Sequence, residues 1–93
     1  MLNSLRNLLA LLDGVTLALL GWRMRVAVLI GREKQRLGLP AHQPQQWQAV
    51  QLRLDKMGQE AGLSARFIDS YGQAVHQESL HHQAQGRPGY EVQ

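Results

Sequence analysis

The chain has 93 residues and no cysteine, so one small domain is expected, without disulfides, thiolate nucleophiles or cysteine metal ligands. It is 44% hydrophobic but only 5% aromatic, which disfavours a β architecture, and a fold this small must be stabilised by apolar burial or self-association. The net charge of +3 is concentrated in the first half, where Arg6, Arg23, Arg25, Arg32, Lys34 and Arg36 oppose only Asp13 and Glu33, a balance suited to an anionic partner.

From Leu2 to about Arg36 the sequence lacks proline and repeats apolar residues at helical intervals: Leu5, Leu9, Leu12, Leu19, Leu20, Ala27 and Ile30. This predicts one helix about 50 Å long at 1.5 Å per residue, more than a compact domain of this size spans, so part of its apolar face needs a second chain. Gly14 and Gly21, a heptad apart, would let a partner helix come close. The longest charge-free stretch, Gly14 to Trp22, is short of the roughly 20 residues that cross a bilayer, so no membrane span is expected. Asp13 interrupts the early leucine run and no small-residue cleavage site follows, so a cytoplasmic protein is expected.

Gly38, Pro40 and Pro44 stop the first helix. A second is predicted near Gln45, with Pro44 at its start, carrying Val50, Leu52, Leu54 and Met57 towards Gly62. Ser64 suits an N-cap for a third, from Ala65 to about Gln85, with Phe67, Ile68, Tyr71, Val75 and Leu80. The reading is all-α: a three-helix domain over residues 1–85 with a long first helix, followed by a flexible tail over 86–93.

Lys34 follows Arg23 by eleven positions, close to three turns, so both project from one face of the first helix and can flank one site. Arg6 is about 25 Å from Arg23 along the helix, too far to share a small ligand within one chain. If two copies cross antiparallel about a two-fold axis near Leu17, Arg6 of one lies opposite the Arg23 to Lys34 region of the other. Arg25, Arg32 and Arg36 are read as solvated charges.

Leu5-Arg6 followed by Asp13, then Arg23, Gly31 with Lys34, Gly38-Leu39-Pro40, Gly62-Leu63, Glu78-Ser79 and Gln83 form an ordered series. In it the chain resembles the small all-helical chorismate mutases from Leu5 to Gln83. The resemblance implies an intertwined homodimer with shared active sites, binding a small anionic chorismate-like substrate and using no cofactor and no metal. It further implies that Arg6 of the partner and Arg23 bind the substrate's two carboxylates. Lys34 would contact the ether oxygen and a carboxylate, Gln83 would donate to that oxygen, and Ser79 would help hold the ring carboxylate. Ser79 and Gln83, four apart, share a helix face. The reaction so implied is a concerted pericyclic rearrangement of chorismate to prephenate, which needs a folded conformer and stabilisation of charge developing on the breaking ether bond.

Three positions depart from the family pattern: Gln43, Gln46 and Trp47 stand where an acidic residue, an arginine and a glutamate are usual. The usual glutamate accepts from the hydroxyl at ring position 4, whereas an indole nitrogen only donates. The Gln43-Pro44 opening with Trp47 resembles relatives that rearrange 4-amino-4-deoxychorismate, so Gln43 and Trp47 join the substrate-binding set. Alternative functions are an isochorismate-pyruvate lyase, which uses the same kind of cationic pocket, or a non-catalytic, regulatory helical dimer.

His42, His76, His81 and His82 lack metal-ligand spacing and are read as surface residues. Trp22 is read as a packing residue, and for Trp47 a pocket wall and a core anchor weigh nearly equally. Nucleic-acid binding is disfavoured, because the cations occupy several faces and aromatic interleaving is absent.

Overall fold

The computed structural model describes residues 1–84; the tail read at 86–93 lies outside them. Among the described residues there are three helices and no strand: α1 (Leu2–Leu37), α2 (Pro44–Glu60) and α3 (Ala65–Ala84). Their order and ends agree with the sequence expectation to within two residues.

The ends follow from local chemistry. At the close of α1 the Leu39 N–H reaches Lys34 O at 2.8 Å and the Gly38 N–H reaches Gln35 O at 3.1 Å. The same pattern ends α2, from Leu63 to Gly58 and from Gly62 to Gln59, both at 3.0 Å. This double closure needs a left-handed residue, and Gly38 (φ 72°) and Gly62 (φ 81°) supply it. Pro44 opens α2, where its missing donor costs nothing. Ser64 caps α3, its Oγ accepting from the Phe67 N–H at 3.1 Å.

Helix α3 is the hub: α1 packs on one side of it and α2 on another. Only the second half of α1 takes part, burying Met24, Ala27 and Gly31, while α3 buries Ile68, Gly72, Val75, Ser79, Gln83 and Ala84. Small residues set the approach. A Cβ on Gly31 would lie 2.6 Å from the Gln83 backbone oxygen, and one on Gly58 would lie 2.5 Å from Ile68 Cγ1. Gly31→Ala therefore forces backbone apart beside Lys34 and Gln83. We expect it to cost about 1–3 kcal/mol in chemical denaturation.

The core within one chain is small. No residue of α2 is fully buried, and the predicted apolar positions Leu52 and Met57 face outward, leaving Val50 and Leu54 half-buried. Along the first half of α1, Leu2, Leu5, Leu8, Leu9, Leu11, Leu12, Val15, Leu17 and Leu19 are all at least half exposed. The molecule is accordingly elongated, 54 × 25 × 21 Å. Each leucine that a second surface covers contributes about 1.5–3 kcal/mol, so this arm is a large reserve of unburied apolar area. Gly14 and Gly21 have open space where a Cβ would stand.

The expectation that no segment suits a membrane is corrected on length and composition alone. An 18-residue stretch of α1 averages 1.4 in mean hydropathy, because its apolar residues outweigh scattered charges. Interruption by single charges shortens a charge-free run without lowering the mean much. A helix whose face is buried between two protein chains has the same composition.

Candidate active site

Where α1, the connector, α2 and α3 converge, a cavity of about 470 Å³ opens. Each helix contributes one stripe. Arg23, Ala27, Ile30 and Lys34 come from α1 at intervals of three and four; Gln43 caps the start of α2, which adds Gln46, Trp47, Val50 and Arg53; His76, Ser79, Leu80 and Gln83 come from α3. Six of the seven residues singled out in the sequence thus line one pocket: Arg23, Lys34, Gln43, Trp47, Ser79 and Gln83. Arg6 does not; it sits on the exposed arm of α1.

Lys34 is the hinge of the polar arrangement. Its Nζ donates to Ala41 O in the connector at 2.6 Å and to Gln83 Oε1 on α3 at 2.9 Å. An ammonium group only donates, so it fixes the Gln83 carboxamide with oxygen towards Lys34 and leaves the NH₂ end as a donor. Lys34 and Gln83 therefore form a rigid donor pair, with Gln83 itself buried.

Arg23 donates through one terminal nitrogen to Ser79 Oγ at 2.5 Å, and the Ser79 hydroxyl in turn points to Met24 Sδ at 3.7 Å. Ser79 is 5% exposed. With its oxygen accepting from Arg23 and its hydrogen directed at sulfur, Ser79 steers the guanidinium rather than offering a free donor of its own. The four remaining N–H donors of Arg23 keep the fork that carboxylates fit.

The wall at Trp47 carries residues that the sequence reading missed. The indole stacks on the His76 imidazole, centroids 3.9 Å apart and 12° from parallel, and His76 Nε2 lies 3.2 Å from His42 Nδ1. His76 is held below the usual imidazole pKa, first by burial and then by the nearby charges of His42, Lys34 and Arg23. The reading of His76 as a surface residue is thus corrected: it is half-buried and lines the pocket. The available signal was its spacing, three before Ser79 and seven before Gln83, which places all three on one face of α3. Arg53, a third cation at the pocket, lies seven after Gln46 on α2 and was equally legible.

Trp22 is 62% exposed within the chain, with the Arg25 guanidinium 4.7 Å over its ring, and Arg36 pairs with Glu33 at the surface. Arg25 and Arg36 are thus outside the pocket, as the reading of them as solvated charges requires.

Fold and site together define a class, an all-α protein with a cationic, partly apolar pocket sized for a small organic anion. The sequence pattern described as Chorismate mutase type II matches residues 5–84, and the chain belongs to that family. It is accordingly an isomerase, and the family supports chorismate mutase activity on a chorismate-like substrate. No curated protein and no solved structure matches the chain.

Proposed function

We propose that two copies of the chain pair through α1 into a homodimer with two shared pockets, and that each pocket rearranges chorismate, or 4-amino-4-deoxychorismate, without a cofactor. The observation that carries this reading is the joint placement of Arg23, Lys34 and Gln83 around one cavity, each oriented by a neighbour. Arg23 and the partner's Arg6 take the two carboxylates. Lys34 and the Gln83 NH₂ face the ether oxygen, where negative charge grows as the C–O bond breaks.

Such a rearrangement needs no proton transfer and no covalent intermediate. The substrate must be held in its folded conformer, and the developing charge must meet donors already in place. The bond from Ala41 O fixes one side of Lys34 and Gln83 fixes another, so little reorganisation remains for the reacting step. Pairing through α1 also accounts for its exposed leucines, and on this reading the protein is cytoplasmic rather than membrane-bound.

Gln43, Gln46 and Trp47 make the wall near ring position 4 uncharged, which favours a substituent other than one recognised by a carboxylate. The test is to incubate purified protein separately with chorismate, 4-amino-4-deoxychorismate and isochorismate and identify the products. Prephenate or its amino analogue is expected. Salicylate with pyruvate from isochorismate would establish the lyase instead, and no product from any of the three would establish a non-catalytic dimer.

A further inference from the structure

The pocket divides chemically. Arg23, Lys34 and Arg53 are its cations, and they take the anionic groups of a ligand. The Trp47 side has to meet whatever is uncharged. On that side the indole can only donate and the aliphatic residues offer no polar contact, so the groups that can also accept are the Gln43 and Gln46 carboxamides and His76. Of these His76 is the one held in place, between the Trp47 ring and His42.

We propose that His76, held between Trp47 and His42, is the specificity-determining residue that contacts the uncharged polar substituent on the ring of the bound substrate. This rests on the proposed chorismate-like substrate and adds the residue that reads its substituent. The contact between His76 Nε2 and His42 Nδ1 at 3.2 Å can hold one hydrogen only. When His76 donates it, the second nitrogen of His76, Nδ1, is an acceptor; when His42 donates it, His76 Nδ1 carries a hydrogen and donates. His76 Nδ1 takes no protein partner among the described residues. Going from one arrangement to the other takes a tautomer shift in both rings, each moving its hydrogen between its two nitrogens by exchange with solvent. It lets His76 Nδ1 either accept from or donate to the substituent, whereas an ionised carboxylate only accepts. The stack on Trp47 holds the ring in plane while this happens, and the indole reaches along α3 to Gly72, where a Cβ would come within 3.8 Å of it.

The charged and titratable groups around His76 are Arg23 and Lys34 from α1, His42 from the connector and Arg53 from α2. Burial first, and then the charges of His42, Lys34 and Arg23, disfavour a second proton on His76 and hold its pKa below the ordinary imidazole value near 6.5. Once charged it can no longer accept, and selectivity changes with it.

The experiment measures kcat and KM for chorismate and 4-amino-4-deoxychorismate from pH 5 to 8, using the wild-type protein, His76→Ala and His76→Gln, with circular dichroism on each. His76→Ala is expected to shift the ratio of the two kcat/KM values by about three- to tenfold, the size of one neutral hydrogen bond. His76→Gln, which keeps a donor and an acceptor but does not titrate, should restore much of the ratio and flatten its dependence below pH 6.5. If His76→Ala does not fold, the flattened profile of His76→Gln decides the matter. An unchanged ratio and an unchanged pH profile in the folded variants would overturn the role of His76 while leaving the substrate reading intact. Wild-type protein that neither binds nor turns over either compound would overturn both.

Discussion

Lys34→Ala is expected to lower kcat by about a hundred- to a thousandfold, the usual effect of removing one preorganised donor to a developing oxyanion. The structure makes this a double loss. With the ammonium gone, the charge that the proposed reading sets against the ether oxygen disappears, and the Gln83 carboxamide loses the partner that fixes its NH₂ end. Ala41 O loses its donor as well, so the connector is freed and stability should fall by about 1–3 kcal/mol. The two effects are separable. Gln83→Ala keeps the Lys34 to Ala41 contact, so it should cost turnover with a smaller change in melting temperature. Helical circular dichroism should survive in both variants, because Met24, Ala27 and Val75 stay buried between α1 and α3 and Ile68 stays packed on α2 at Gly58. Full turnover in Lys34→Ala would remove the assigned site.

Arg23 belongs to the same argument through a different contact. Its guanidinium is exposed at the pocket but one nitrogen is anchored on the buried Ser79 hydroxyl. The family resemblance implies a direct contact between Ser79 and a substrate carboxylate. The geometry supports an indirect one, in which Ser79 decides where the Arg23 fork points. A side chain 5% exposed whose hydrogen already points at Met24 Sδ has little to offer a ligand directly.

Much of this was readable before any coordinates. Helix ends were legible because their causes are local: prolines after Gly38, glycine at both C-termini and serine before Ala65 each act within a turn. The gathering of Arg23, Lys34, Ser79 and Gln83 was legible in part, since helical spacing puts the members of each pair on one face. That the two faces meet across Gly31 and Gln83 is a packing fact. His76 was hidden because metal-ligand spacing depends on which histidines stand close to one another, whereas pocket lining depends on which residues share a stripe, as His76 does with Ser79 and Gln83 and Arg53 does with Gln46 and Val50. Trp47, read as either wall or anchor, lines the cavity and at the same time packs on an imidazole. The exposure of Leu52 and Met57 was hidden because helical periodicity marks an apolar face without saying whether anything packs on it.

The long arm of α1 is where one chain leaves most unfinished, and there the second large effect is expected. Arg6 lies on that arm, far from the pocket of its own chain, among leucines at least half exposed. An antiparallel partner crossing near Leu17 would cover those leucines and carry Arg6 to the other pocket beside Arg23. Arg6→Ala should then lower kcat/KM by about a hundredfold, as loss of a charge-assisted carboxylate contact does, although nothing in its own chain touches the site. Mixing makes the prediction sharper. Arg6→Ala and Lys34→Ala chains, each nearly inactive alone, are unfolded together and refolded. In a mixed dimer the pocket of the Arg6→Ala chain has its own Lys34 and an intact Arg6 from its partner, whereas the other pocket lacks both. With random pairing half the dimers are mixed and one pocket in two is complete, so about a quarter of wild-type activity should return. Activity that stays at the level of the separate variants would mean that Arg6 serves no neighbouring site.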